Sequence, residues 1–286
     1  MRWKFFARYG IQAHIFAAVL VLMGLLSPIF LSAESELMKK VALVFLTRNG
    51  VNHPTLWKNL IQTNSDKFNV YIFSKNPLED HFFNSFRLEE TVPTQWDYHI
   101  LAWQLLLKKA YQDPENYKFV YLSESCVPIR PLEEIYQTLT SNDTSYMCFA
   151  GPWWPKDSPR EVLSLPVEHR FGNHEWVILN RRHAEMIVED KAVIDIVSRC
   201  WIDSESYPST LFSVNGCLGE FCNRTSTYVN WNLAEGGGAH PYHFRDDSPF
   251  NRDKLLKAKE SGHFFARKFT PTFPEDAIFQ IMITNP

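Results

Sequence analysis

The sequence predicts an α/β domain built on a mostly parallel central sheet that is flanked by helices. Three short apolar runs, at residues 41–46, 70–73 and 119–122, each end in polar or turn-forming residues. Segments with apolar residues at helical spacing separate these runs. Continuous apolar runs of this length are typical of strands buried on both faces, and strands that alternate with helices are typical of parallel sheets.

Each predicted element follows from its local pattern and from the residues that end it. The first half of the chain reads as strand 41–46, a helix around 56–61, strand 70–73, helix 100–111, strand 119–122 and helix 132–139. The second half is less regular, with strand-like segments at 176–179, 228–231 and 264–269 and a helix at 182–188. Since no repeat or obvious linker interrupts the pattern, we expect one domain over residues 37–286.

Polar residues follow the first and third predicted strands directly. They are Thr47 and Arg48 after the first strand, and Ser123, Glu124 and Ser125 after the third. In open parallel sheets, ligands bind in the crevice outside the carboxyl ends of the strands. We therefore expect these five residues to border one donor and acceptor crevice.

Composition excludes several classes of protein. The chain has 286 residues, 45% of them hydrophobic, which excludes a disordered or low-complexity protein. Its net charge of −3, from 29 basic and 32 acidic residues, excludes a dominant nucleic-acid-binding surface. The aromatic fraction of 15% is high, and aromatic side chains fill cores, stack on sugars or lie at membrane interfaces.

The first 36 residues read as a targeting segment. Arg2, Lys4 and Arg8 precede an uncharged apolar run over residues 15–31. A basic flank before such a run is typical of a secretory signal or of an anchor whose basic end stays in the cytoplasm. We favour a single-pass type II anchor, Golgi-like if the source is eukaryotic; the alternative is a cleaved signal peptide and a secreted or periplasmic protein.

The common catalytic motifs are absent from the sequence. It contains no G-x-S-x-G, no G-x-x-x-x-G-K-[ST], no G-x-G-x-x-G and no H-E-x-x-H. The glycine run at residues 236–238 matches none of these motifs. No C-x-x-C pair and no D-x-D at a strand end is present, so we expect no metal and no other cofactor.

Several blocks, in order along the chain, resemble the core-2/I-branching β-1,6-N-acetylglucosaminyltransferase family and its plant and bacterial relatives. They are "FLTRNG", "FVYLSESCVPI", "NHEWVILNRRHAEMIV", "CWIDSESYPSTL", "TYVNW", "GGGAHPYHF" and "FFARKF", and together they span about residues 41–269. The resemblance implies a GT-A-type fold, a UDP-sugar donor, inversion at the anomeric carbon and no metal requirement. It also implies a glycan or glycoprotein acceptor.

The resemblance does not determine which sugar the donor carries. N-acetylglucosamine is the first expectation, and xylosyl- or glucuronosyltransfer is the alternative, because the family includes such relatives. A non-catalytic carbohydrate-binding relative is a further alternative.

The resemblance assigns roles to particular residues. Glu205 matches the catalytic base, although the family usually has Asp before that Glu and this chain has Ser204, which leaves Asp203 as the alternative base. Lys268 matches the basic residue that contacts the donor diphosphate. Arg245 is the candidate for the second basic residue. With Arg267, these cations would stabilise the leaving diphosphate without metal.

Tryptophans are candidates for acceptor binding. Trp153 and Trp154 lie between prolines in Gly-Pro-Trp-Trp-Pro, which predicts a loop, and exposed loop aromatics suit sugar recognition. Isolated tryptophans such as Trp96 and Trp231 could also stack on acceptor sugars, but packing in the core or in a satellite cluster is the first expectation for each.

Overall fold

A central sheet organises the fold. The computed structural model describes residues 38–151 and 165–284. Its strands are β1 (Lys40–Leu46), β2 (Phe68–Phe73), β3 (Asn116–Ser123), β4 (Val127–Pro128), β5 (Ser145–Tyr146), β6 (Phe149–Ala150), β7 (Gly172–Asn173), β8 (Ile178–Asn180), β9 (Phe221–Cys222), β10 (Thr227–Val229) and β11 (Phe265–Arg267). Its helices are α1 (Pro54–Thr63), α2 (His81–Asn84), α3 (Ile100–Tyr111), α4 (Leu132–Thr140), α5 (Arg181–Glu189), α6 (Ala192–Val197), α7 (Tyr207–Val214), α8 (Pro249–Glu260) and α9 (Glu275–Ile283).

The predicted mixed α/β architecture with a mostly parallel sheet is confirmed. In the described part of the chain, the largest sheet has six strands in the order β2-β1-β3-β8-β5-β9. Strands β2 and β3 pair with β1 in parallel, whereas β8 is antiparallel to both of its neighbours, β3 and β5. Leu46 at the end of β1 lies opposite Phe73 on one side and Ser123 on the other. This register brings the loops after β1, β2 and β3 to one edge of the sheet.

The central strands are buried as the apolar runs predict. Residues 41–45 of β1 are each at most 1% exposed. Helices α3 and α4 pack on β1, and Trp57 of α1 meets the Phe45 ring edge-on at 5.1 Å between centroids. The Trp57 indole N–H donates to the Cys126 carbonyl, which ties α1 to the loop after β3.

A smaller sheet lies beside the central one. Strand β11 pairs in parallel with β10 and antiparallel with β4. A second apolar cluster packs beneath it and includes Val127, Phe244, Leu255, Ala266 and Ile278. Strand β11 ends at Arg267, so its pairing in this sheet fixes the position of Arg267 and of the adjacent Lys268.

Some elements were not expected from the sequence. Helices α2, α6, α7, α8 and α9 are additional, and the predicted strand over 264–269 shortens to Phe265–Arg267. Helix α8 is mostly polar and helix α9 is apolar around much of its circumference, so neither shows a clear amphipathic stripe. Tertiary packing of these helices therefore outweighs the local pattern.

The expected targeting segment, residues 1–36, lies outside the described residues. Among the residues that are described, none belongs to a helix long and apolar enough to cross a bilayer. The described residues Cys217 and Cys222 form no disulfide with each other.

The buried ammonium group of Lys259 holds the end of helix α9. This side chain is 3% exposed, and its Nζ donates to the carbonyl groups of Ile281, Met282 and Thr284. Carbonyl groups at a helix C-terminus have no partners within the helix, so they need donors from elsewhere.

We predict that Lys259→Met lowers the free energy of unfolding by about 1–3 kcal/mol, because it removes the donor that pairs with the buried carbonyl groups of Ile281 and Met282. Urea unfolding followed by circular dichroism measures the change. Lys257→Met is the matched control: Lys257 is exposed, pairs with Asp253 within α8, and should change stability by less than about 0.5 kcal/mol. Equal effects of the two substitutions would contradict this role for Lys259.

Candidate active site

A cleft of about 1490 Å³ opens at the carboxyl edge of β1, β2 and β3. Thr47, Arg48, Ser123 and Glu124 line it, as the strand pattern predicted. The two loops are joined directly, because the Arg48 backbone N–H donates to Glu124 Oε2 at 2.9 Å. Within the described chain, Ser125 does not line the cleft: it is 2% exposed and shares a hydrogen bond with Ser123 beneath the surface.

Glu205 lines the cleft from the segment Asp203–Glu205, a single 3-10 turn before helix α7. The turn follows Ile202, whose φ of 54° places it in the left-handed region, unusual for a β-branched residue. Glu205 is partly buried and reaches the same cleft as the loops after β1 and β3.

Asp203, the alternative base, is buried, and within the described chain it does not line the cleft. Its carboxylate caps helix α3, where Oδ1 accepts from the backbone N–H of His99 and Oδ2 from that of Ile100, both at 3.1 Å. Burial raises the pKa of Asp203 to about 6, although these backbone hydrogen bonds and the charge of His99 act to lower it. Since Asp203 is 1% exposed and is not among the described residues lining the cleft, its position is that of a helix cap.

A further cleft carboxylate, Glu175, was not predicted from the sequence. Its Oε1 accepts from His99 Nε2 at 2.9 Å and from the Ser204 hydroxyl at 2.5 Å. Burial tends to raise the pKa of Glu175, but the hydrogen bond and charge of His99, the charge of Arg267 and the Ser204 hydroxyl outweigh burial and lower it to about 2. Glu175 therefore stays ionised, and the pKa of His99 is raised despite its burial.

Two adjacent cations form another part of the cleft wall. Arg267 and Lys268 both line it and both are partly buried. The Arg267 guanidinium lies over the Trp176 ring, 4.0 Å from the centroid. Burial and the neighbouring Arg267 charge lower the pKa of Lys268. Two partly desolvated like charges repel each other, so this wall favours an anion.

The remaining predicted site residues lie elsewhere. Arg245 is exposed and is not among the described residues that line the cleft. Trp153 and Trp154 lie outside the described residues.

Tryptophans that were expected in the core line the cleft instead. Trp96 is 68% exposed and Trp231 is 40% exposed, so the expectation of core packing was wrong for both. Trp201, 41% exposed, lines the cleft with them. The Trp96 and His240 rings meet at 6.3 Å between centroids. No local sequence signal distinguishes these tryptophans from buried ones.

The glycine run closes the loop that carries Trp231. A Cβ on Gly237 would lie 2.6 Å from the Trp231 carbonyl carbon, which is closer than real Cβ atoms approach, so the backbone fold here requires glycine. Gly236 and Gly238 have φ values of 89° and 133°, a region that also favours glycine. The run is therefore structural, and the residues after it, His240 and Pro241, line the cleft.

Among the described residues, no group of three or more His, Cys, Asp or Glu side chains is arranged to hold a metal ion.

We predict that the difference in unfolding free energy between the wild type and Glu175→Gln becomes smaller as the pH falls. The pKa of Glu175 in the folded state, about 2, is below its ordinary value of 4.5, so ionised Glu175 stabilises the fold above pH 4.5 and loses this effect on acidification. Between about pH 5 and pH 3 the difference in unfolding free energy should shrink by about 2 kcal/mol.

Urea unfolding at several pH values measures this difference. Glu168→Gln, which alters an exposed residue, serves as the control and should show no comparable trend. A gap between wild type and Glu175→Gln that is constant with pH would show that the carboxylate is not held ionised by its partners.

Comparisons with known proteins agree with the resemblance seen in the sequence. The chain is 26% identical over 254 residues to "Glycosyltransferase BC10" from Oryza sativa subsp. japonica, a match that covers 73% of this chain and 64% of that protein. The chain thus spans a little under two thirds of the length of this relative. A crystal structure of A197 from STIV matches at 12% identity over 53% of this chain and 69% of that one, but its TM-score of 0.27 supports no conclusion.

A family model covers most of the described domain. The model described as "Branch: Core-2/I-Branching enzyme" matches residues 41–255, which include the cleft carboxylates Glu124, Glu175 and Glu205 and the loops after β1, β2 and β3. The resemblance inferred from the sequence blocks is confirmed, and the chain belongs to the Core-2/I-Branching enzyme family.

Proposed function

We propose that the protein is an inverting, metal-independent glycosyltransferase that moves a sugar from a UDP-sugar to a hydroxyl group of a glycan. The observation that carries this proposal is the cleft itself, where the carboxylate of Glu205 and the cations Arg267 and Lys268 line one space. Membership of the Core-2/I-Branching enzyme family and the glycosyltransferase name of the rice relative support the reaction class. A GT-A-type arrangement of the sheet is part of the proposal.

Glu205 acts as the general base in this mechanism. It takes the proton from the acceptor hydroxyl as that oxygen forms a bond to the anomeric carbon of the donor sugar. The bond from that carbon to the diphosphate oxygen breaks on the opposite face, and UDP leaves with the bonding electrons. A single displacement of this kind inverts the anomeric carbon, and one carboxylate base suffices.

Arg267 and Lys268 stabilise the diphosphate as its negative charge grows. Fixed cations in a partly dry cleft interact with a developing anion more strongly than they would in water. Their mutual repulsion is relieved when the anion binds, so the cost of holding them together is offset in the complex. This is the physical basis for proposing that no metal or other cofactor is needed.

The aromatic rim suits a glycan acceptor. Trp96, Trp201 and Trp231 present exposed ring surface at the same cleft as Glu205. Tryptophan faces pack against the C–H surfaces of pyranose rings while leaving the sugar hydroxyls to polar neighbours. Trp153 and Trp154 remain proposed acceptor contacts.

The donor and location are proposed from the family resemblance and from the first 36 residues. N-acetylglucosamine is the proposed donor sugar, with xylose and glucuronic acid as the alternatives. The basic and apolar N-terminal residues support a single-pass type II membrane anchor, or secretion after cleavage.

We predict that Glu205→Gln lowers kcat by about 10²–10⁴-fold and leaves UDP binding unchanged, because the amide cannot accept the hydroxyl proton. Initial-rate transfer assays and calorimetric UDP titration separate the two effects. Asp203→Asn is the comparison variant and should retain measurable transfer, since Asp203 caps helix α3. Normal turnover by Glu205→Gln with an inactive Asp203→Asn would move the base to Asp203.

We predict that one UDP-sugar from a panel raises the melting temperature of the protein and that added chelator leaves this shift unchanged. Lys268→Gln should reduce the shift, because it removes a cation from the cleft wall. Arg245→Gln should have the smaller effect, because Arg245 is exposed outside the cleft.

A shift that disappears with chelator would contradict the metal-independent mechanism. Stabilisation by a glycan with no response to any UDP-sugar would instead identify a carbohydrate-binding relative without catalysis.

A further inference from the structure

A half-buried ion pair lines the cleft beside the turn that carries Glu205. The side chains of His99 and Glu175 are 12% and 19% exposed, and their Nε2 and Oε1 atoms are 2.9 Å apart. Charged groups this far from water are costly unless they are paired and hydrogen-bonded. The further contacts of the pair show what it is connected to in the cleft.

The pair connects three parts of the cleft. The same Glu175 Oε1 accepts from the Ser204 hydroxyl at 2.5 Å, in the turn that carries Glu205. His99 also hydrogen-bonds to the backbone of Trp96 at the cleft rim. Glu175 precedes Trp176, whose ring lies against the Arg267 guanidinium.

Ser204 is held on two sides. Besides its hydroxyl bond to Glu175, its carbonyl accepts from Asn173 Nδ2 at 3.0 Å. Ser204 is 0% exposed, so neither its hydroxyl nor its carbonyl is accessible to bulk water. The residue directly before the cleft carboxylate of Glu205 is therefore anchored through both side chain and backbone.

Other titratable groups surround the pair. Arg267, Lys268, Asp203 and His174 also interact electrostatically with the pair. An unpaired Glu175 would compete with an incoming diphosphate for Arg267. The charge of His99 offsets that of Glu175, which leaves the cations available to an anion in the cleft.

We propose that the His99–Glu175 pair, acting through the Ser204 hydroxyl, is a positioning device that holds the Glu205 carboxylate at the cleft wall. The inference rests on the proposed function for Glu205 as base. Ser204, Glu175 and His99 are positioning residues here, because each acts through its neighbour and not on the substrate.

The same turn supplies a matched control. The hydroxyl of Ser206 is buried and has no hydrogen-bond partner among the described residues, although Ser206 adjoins Glu205 on the other side. Ser204→Ala and Ser206→Ala therefore remove the same atom from either side of Glu205. Only the first substitution breaks a hydrogen bond.

Ser204→Ala should lower kcat by about tenfold to a hundredfold with the KM for donor unchanged, because a hydrogen bond to a charged group is lost. Ser206→Ala should keep wild-type kcat. Hydrogen exchange of the peptide spanning residues 201–207 provides a readout without turnover: exchange should accelerate in Ser204→Ala and stay at the wild-type rate in Ser206→Ala.

The proposal is overturned if the two variants behave alike, or if Ser204→Ala changes neither kcat nor exchange. A global loss of protection in Ser204→Ala, with all peptides exchanging faster, would also overturn it, because the bond would then support the fold as a whole. A wild-type protein without transfer activity would contradict the proposed function. The hydrogen-exchange comparison of Ser204→Ala with Ser206→Ala would still show whether the His99–Glu175 pair holds this turn.

Discussion

The parallel pairing of β1 with β2 and β3 is the constraint on which the site depends. It sets Leu46 beside Phe73 and Ser123, so three loops emerge at one edge. The bond from the Arg48 backbone to Glu124 then joins two of these loops. A slip of register along β1 would separate these loops, and the loop residues that line the cleft would no longer lie side by side.

The acidic side chain of Glu175 and the basic side chain of Arg267 have different partners in the cleft. Glu175 is paired with His99, and Arg267 is packed over Trp176, so the negative and positive groups each have a local partner. This leaves Glu205 and Lys268 facing the same cleft from different parts of the chain. A cleft with a base on one wall and cations on another suits a reaction that takes up a proton and releases a diphosphate.

Local patterns predicted the first half of the fold well because its strands are continuous apolar runs between clear loop residues. The strand patterns also predicted that Thr47, Arg48, Ser123 and Glu124 border one crevice, because these residues directly follow the strands, and all four line the cleft. Glu175 was missed because its partners, His99 and Ser204, are 76 and 29 residues away, and no short motif encodes such a contact. Trp96 and Trp231 were assigned to the core because exposure at a cleft is a tertiary property.

A crystal structure of the protein with UDP bound tests the proposed roles of the cleft residues most directly. We expect the diphosphate within hydrogen-bonding distance of Arg267 and Lys268, with the carboxylate of Glu205 facing the space where the sugar would lie. A diphosphate bound away from these cations, or bridged to Glu124 by a metal ion, would contradict it.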